Sequence, residues 1–242
     1  MTLYLLPNLL GPVKDHHFFL PESVDHAVCQ IDGLIAESES EGRRYLKRFA
    51  TKKKPHEMPI ALLNKKSQEL DFLLEPLLNG EKWGVISDCG LPCLADPGAA
   101  LVRRAYHLGI SVEAFTGPSS ITYALMLSGL SAQTFIFHGY LPKYPEERIK
   151  TLQQLEKIQQ TTHLFIEAPY RNLHTYTACL QTLHASTLFC IASSLTLPDQ
   201  WIHTAPISAW KKLDVQKVSN HILKKPTIFL LHSEDCKTNK TG

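Results

Sequence analysis

The sequence predicts an α/β protein of two α/β units, the first on a mainly parallel sheet and the second on a mixed one. Three features predict it. Short apolar runs alternate with amphipathic segments through the first half, the pattern of strand–helix–strand units. In the second half the strand-like runs come in near succession, which implies antiparallel neighbours. Three polar connections follow predicted strands, and the first of them, in "ISDCGLPCLADPG", is longer than the roughly two to six residues a plain link needs. The boundary between the units is placed near residue 116, giving 1–115 and 116–242.

"TLYLLP" reads as the first strand, "ESVDHAVCQI" as a helix with Val24, Val28 and Ile31 on one side, and "GLIAE" as the second strand. "ESEGRRYLKRFA" is helical in pattern. Ser67 can cap "QELDFLLEPLL", where Leu70, Leu73, Leu74, Leu77 and Leu78 follow the spacing of a buried face until Asn79-Gly80 stops it. "WGVIS" is the next strand. Asp96 then suits an N-cap and Pro97 a first helical position, with Leu101, Ala105 and Leu108 on one face until Gly109. "ISVEAF" is a strand, and "TGPSS" opens the helix "ITYALMLSGL". Beyond it "TFIFHGYLPK" is strand and exit, "PEERIKTLQQLEKIQQ" a helix with Pro145 near its start, and "HLFIE" a strand. "EAPYR" leads into the helix "NLHTYTACLQTL". "TLFCIAS", "QWIHTAP" and "TIFLLH" are strands, with a helix over "DVQKVSNHILKK" before Pro226.

Composition excludes several function classes. Hydrophobic residues at 44% and charged residues at 20% are ordinary globular values. No apolar run approaches the roughly 20 residues that span a bilayer, and no basic segment precedes the apolar start, so a soluble, cytoplasmic protein is expected. The six cysteines are scattered and read as free thiols. Cys89 and Cys93 have no second metal-type pair, so no metal is expected. HExxH, GxSxG and GxxxxGK[ST] are absent, which removes the entry signals of zinc proteases, serine hydrolases and P-loop enzymes.

Two features carry chemistry. "SDCGLPCLA" precedes the Asp96 cap and is surplus to connection; in open α/β sheets such loops, beyond the carboxyl ends of strands, hold ligands. The net charge is only +2, but it is uneven. In "RRYLKRFATKKK" Arg43, Arg44, Lys47, Arg48, Lys52, Lys53 and Lys54 surround Tyr45 and Phe49, which reads either as one solvated helix face with its exit or as a patch that tracks phosphates.

"SDCGLPCLADPGAALVRRAYHLGISVEAFTGPSSITYALMLSGL" resembles the pattern SDAGxPxxxDPGxxLVxxAxxxGIxVxxxPGPSAxxxALxxSGL of the tetrapyrrole methylase superfamily. Within it, the chain is most similar to the ribosomal RNA small-subunit cytidine-2′-O-methyltransferases. "TFIFHGYLPK" is similar to that branch's F-x-F-x-G-F-L-P, "LFIEAPYR" to its F-Y-E-S-P-H-R, and "SSLT" stands where it has R-E-L-T. The resemblance covers nearly the whole chain after residue 30. Two motifs depart: the branch's P-T-P-I-G-N loop reads "LPNLLGP" here, and its A-E-D-T-R reads "AESES".

The resemblance implies an S-adenosylmethionine (SAM) cofactor, RNA as the methyl acceptor, a homodimer, and an active site in the cleft between the units. It assigns Cys89, Gly90, Leu91, Pro92 and Leu94 to the cofactor, with Ser119 and Ser120, Glu167 and Ala168, and Pro226 and Thr227. Gly- and Pro-rich backbone suits a sulfonium that needs carbonyl dipoles and close approach. Methyl transfer to a ribose hydroxyl is an in-line displacement aided by a base. Glu167, Glu37 and Glu39 are the candidate bases, and the sequence does not rank them. Two other functions are expected alternatives: methylation of a small acceptor such as a tetrapyrrole, and SAM binding without catalysis.

Overall fold

A computed structural model of the chain describes residues 1–63 and 70–234. Ser67, the expected cap of the third helix, and Cys236 lie outside the described residues. The chain divides into two compact units, Met1–Ser119 and Ser120–Gly242.

The first unit runs β1 (Thr2–Leu5), α1 (Glu22–Val28), β2 (Gly33–Ala36), α2 (Glu39–Leu46), β3 (Ile60–Leu62), α3 (Leu70–Leu78), β4 (Lys82–Val85), α4 (Gly98–His107) and β5 (Ser111–Ala114). Its five strands are all parallel, in the order β3-β2-β4-β1-β5. Period-2 alternation sends successive side chains to opposite faces. Tyr4, Leu34 and Ala36 pack with Val24, Val28, Tyr45 and Leu46 on one face, and Leu3, Ile35 and Val85 with Leu73, Leu74, Leu77 and Leu101 on the other.

The second unit contains α5 (Ser120–Ser128), β6 (Phe135–Tyr140), α6 (Pro145–Glu156), β7 (Thr162–Ile166), α7 (Asn172–Thr182), β8 (Leu188–Ser193), β9 (Trp201–Pro206), α8 (Ile207–Trp210), α9 (Val215–Ile222) and β10 (Thr227–His232). The sheet order is β6-β7-β10-β8-β9; only β6 and β7 are parallel neighbours, so the sheet is mixed as expected. Phe165, Phe189, Phe229 and Leu231 build one core with Leu152, Tyr176, Trp210 and Ile222 from the helices, while α5 packs against β8, β9 and β10.

Four details differ from the sequence reading. Strand β3 was not foreseen, because three residues at a sheet edge carry no readable period, and α8 is a single turn. Leu78 is exposed rather than part of the buried leucine face. Helix α4 starts at Gly98, with Pro97 as its cap residue, while the Asp96 carboxylate accepts from Gly98 N at 2.7 Å and Cys93 N at 2.8 Å. Asp96 thus caps from one position further out and also closes the loop before it. Tyr45 and Phe49 are buried in the first core, so they offer no stacking surface to a nucleic acid. Among the described residues no helix is long and apolar enough to cross a membrane.

Candidate functional site

The strand order dictates where a ligand can enter the first unit. Neighbouring strands β1 and β4 send their connections in opposite directions, toward β2 and toward β5. A parallel sheet opens a crevice at such a reversal, beyond the carboxyl ends of its strands. The loops after these two strands meet there. Asn8 N donates to Gly90 O at 2.8 Å, and the buried Asn8 side chain donates from Nδ2 to Ser87 O and Asp88 O, both at 3.1 Å. Asn8 Oδ1 accepts from Leu9 N and from Arg48 Nη1, each at 2.9 Å. One amide side chain therefore ties the β1 loop, the β4 loop and the segment after α2 together. Its only sequence signal was an Asn within the Pro- and Gly-bearing "LPNLLGP".

The β4 loop is held in a conformation that side chains rarely adopt. Gly90 has φ +74°, and Cys93 and Ala95, both with a Cβ, have φ 69° and 65°. A non-glycine residue in the left-handed region costs about 1–2 kcal/mol. Local bonds hold the turn: Ser87 Oγ donates to Cys89 O at 2.9 Å, Cys89 Sγ donates to Leu10 O at 3.3 Å, and Asp96 clamps Cys93 N. A Cβ on Gly90 would stand 3.2 Å from Leu10 Cδ2 and 3.4 Å from Pro118 O. Leu91 is half-buried, Pro92 buried and Leu94 exposed. In the neighbouring loop, a Cβ on Gly117 would meet Pro7 Cβ at 2.1 Å, so only glycine lets "TGPSS" lie against the β1 loop. Ser119 is buried and Ser120 begins α5.

Between these loops and α2 lies a cavity of about 360 Å³, lined by Asn8 to Pro12, Glu41, Arg44, Arg48, Asp88 and Cys89. The basic stretch does not form one face around it. Arg43 donates to the main-chain carbonyls of Pro55 and Met58 and pairs with Glu39. Arg44, paired with Glu41 at 2.8 Å, and Arg48 line the cavity. Lys52 instead pairs at 2.6 Å with Asp32, which precedes β2 and accepts from Lys82 N at the start of β4. Asp32 and Lys82 N stand at the amino ends of β2 and β4, whereas the cavity lies beyond the carboxyl ends of β1 and β4.

Acidic groups gather at the same end. Glu37, just after β2, accepts from Asp88 N at 3.1 Å. Burial raises its pKa above the usual carboxylate value, and the Asp88 and Asp96 charges add to the rise. Burial also raises Asp88, with Glu41 adding to it. Glu39 is mostly exposed and engaged by Arg43.

In the second unit the expected residues of "EAPYR" and of the start of β10 meet at one end of the neighbouring inner strands β7 and β10. Strand β10 runs antiparallel to β7 with Ile228 opposite Ile166, which brings Thr227 and Pro226 beside Glu167 and Ala168. The Glu167 side chain is fully buried and saturated. Arg171 Nη2 reaches Oε1 at 2.5 Å, Ala168 N donates to the same oxygen at 2.8 Å, Thr175 donates to Oε2 at 3.2 Å, and Arg148 stands 4.0 Å away. The Glu and Arg of "EAPYR" thus pair with each other across one turn. Behind them buried Asn172 donates to Ile222 O, Lys225 O and Thr227 Oγ1, fixing the approach to β10.

A family model described as Tetrapyrrole (Corrin/Porphyrin) Methylases matches residues 23–210. The chain is 31% identical to the Ribosomal RNA small subunit methyltransferase I of Bacillus subtilis over 75% of its own length and 59% of that protein's, so it spans less than two thirds of this relative. It is 29% identical to the protein of the same name from Thermotoga maritima, over 81% of this chain and 83% of the other. Among solved structures it resembles the cobalamin biosynthetic enzyme cobalt precorrin-4 methyltransferase with a TM-score of 0.63 at 15% identity, over 96% of this chain and 94% of that one; at this identity the likeness concerns the fold.

Proposed function

The chain belongs to the tetrapyrrole (corrin/porphyrin) methylase family, and from that premise we propose that it transfers a methyl group from SAM to a ribose 2′-hydroxyl of ribosomal RNA. The observation that carries the acceptor class is that relatives aligned over three quarters or more of the chain bear the name of a ribosomal RNA methyltransferase. The cavity supports the same reading. At about 360 Å³ it has the capacity for one nucleoside-sized group, and its two guanidinium groups are matched by Glu41 and Asp88. A polycarboxylate tetrapyrrole would call for an excess of positive charge.

In this reading Gly90 and the backbone from residue 89 to 94 hold the cofactor, with Ser119 and Ser120; Glu167, Ala168, Pro226 and Thr227, in the second unit, keep the cofactor role that the resemblance implies. The left-handed turn aims main-chain groups at the ligand without side chains in the way. SAM supplies the electrophilic methyl. The chain's part is to hold the acceptor oxygen in line and to remove its proton, and orientation provides most of the acceleration. Asp88 at the cavity wall, with Glu37 behind it, is assigned the proton. Raised carboxylate pKa values suit a base working near neutrality. Glu167, with its lone pairs occupied, is assigned a positioning role for the "EAPYR" turn. A homodimer and a cytoplasmic location belong to the same proposal.

Ribose-methylation mapping of ribosomal RNA from cells with and without the gene tests it. Loss of one 2′-O-methyl position in small-subunit RNA is expected. An unchanged map, together with tight SAM binding and no turnover, would instead favour a binding module.

A further inference from the structure

Beyond the part that lines the cavity, the connection from β1 to α1 brings three polar side chains together. Asp15, His16 and His17 each offer one ligand atom, and these atoms all lie within 4.8 Å of one another; among the described residues this is the one such group of His, Cys, Asp or Glu. The Asp25 carboxylate on α1 faces both imidazoles, with Oδ1 2.9 Å from His16 Nε2 and Oδ2 3.6 Å from His17 Nδ1. Asp25 Oδ2 is shielded from solvent yet accepts no hydrogen bond. Shielded carboxylate oxygens normally have a donor or a cation beside them.

The scaffold under these groups is fixed. Residues His16–Phe18 form a 3-10 turn capped by the Asp15 carboxylate, which accepts from His17 N at 3.0 Å. The His16 side chain is 11% exposed, and its ring packs edge-on against Phe49 with 4.6 Å between centroids. Packing therefore orients one imidazole, whereas Asp15 and His17 are exposed and can adjust.

We propose that Asp15, His16 and His17 form a binding site for a divalent cation of the Zn²⁺ class, with the Asp25 carboxylate beside the two imidazoles orienting them. Two imidazole nitrogens with a carboxylate oxygen suit borderline transition ions, whereas Mg²⁺ and Ca²⁺ prefer all-oxygen shells. Metal–ligand bonds of about 2.0–2.1 Å place neighbouring atoms of a tetrahedral shell about 3.3 Å apart. The ligand atoms of Asp15, His16 and His17, all within 4.8 Å of one another, reach that spacing by side-chain adjustment at the exposed Asp15 and His17. The ion is structural in this proposal: it ties the β1–α1 connection to α1. That connection also supplies Asn8 to Pro12 to the cavity, so the clamp stiffens one cavity wall.

The test is calorimetric titration of the full chain, without a histidine tag, with Zn²⁺ at pH 7.5. One site per chain is expected, with the affinity lowered on the order of tenfold or more by His17→Ala or Asp15→Asn. Both positions are exposed, and Asn keeps an acceptor for His17 N–H, so circular dichroism should report an unchanged fold. His56→Ala, a change at an exposed histidine outside this group, should bind like the parent. Zn²⁺ should raise Tm in the parent and not in His17→Ala. Equal affinity in His17→Ala and His56→Ala, absence of Zn²⁺ binding by the parent, or equal competition by Mg²⁺ would each overturn the proposal.

Discussion

Arg48 Nη1 donates to Asn8 Oδ1 at 2.9 Å, joining the segment after α2 to the loop after β1 at the wall of the cavity. The same Asn8 side chain holds Ser87 O and Asp88 O, so it sets the position of the residue assigned to take the proton. Asn8→Ala would leave two carbonyls and a guanidinium without their partner, at a cost of about 1–3 kcal/mol for a shielded group. Urea denaturation should show that loss, and methyl transfer should fall further than folding explains. Arg48→Met removes one bond and keeps an apolar stem, so it should lower kcat with little change in stability.

Gly90→Val should weaken SAM binding at least tenfold in a calorimetric titration. Its φ of +74° is unfavourable for a β-branched residue, and the new side chain would press on Leu10 and Pro118 O. Gly80→Ala makes the comparison: its φ is +93° but nothing lies within 4 Å of a Cβ there, so it should affect stability alone.

The carboxylates separate by what they lose. Asp88→Asn should lower kcat strongly while leaving SAM affinity near normal. Because Glu41 helps raise the Asp88 pKa, Glu41→Gln should lower that pKa and move the acid limb of the pH–rate profile to lower pH. Glu167→Gln should instead destabilise by about 3–5 kcal/mol, since it breaks a buried pair and leaves Arg171 and Arg148 uncompensated. An unchanged pH profile in Glu41→Gln would remove Asp88 from the role of base.

Much of this architecture was legible because it rests on periodicity. The alternation of Leu3, Tyr4 and of Leu34, Ile35, Ala36 on two buried faces gives parallel strands, and the crowding of strands after Phe135 gives the mixed sheet. The long β4 loop announced itself by surplus Gly, Pro and Asp. Long-range side-chain pairing was not legible. Nothing local tells that Asn8 reaches Asp88 across 80 positions, or that Glu167 is spent on Arg171. The division of the basic stretch was not legible for a related reason: spacing shows charge density, whereas the surroundings of each side chain depend on a segment that starts at the carboxyl ends of the strands and returns to their amino ends.

That division of the basic stretch is itself testable. Replacing Lys52, Lys53 and Lys54 together by Glu should leave RNA methylation largely intact, because Lys52 is paired with Asp32 at the amino ends of the strands, whereas the cavity lies beyond their carboxyl ends. Arg44→Glu, at the cavity wall, should weaken RNA binding and flatten its salt dependence by about one phosphate contact. The reverse ranking in a filter-binding series would put the RNA surface elsewhere.

The most direct measurement is transfer of a labelled methyl group from SAM by the purified chain to small-subunit ribosomal RNA prepared from cells lacking the gene, with the product mapped by nuclease digestion. The account predicts label on a single ribose 2′-oxygen, abolished by Asp88→Asn and by Gly90→Val. Label on a base, or transfer to a tetrapyrrole with none to RNA, would contradict it.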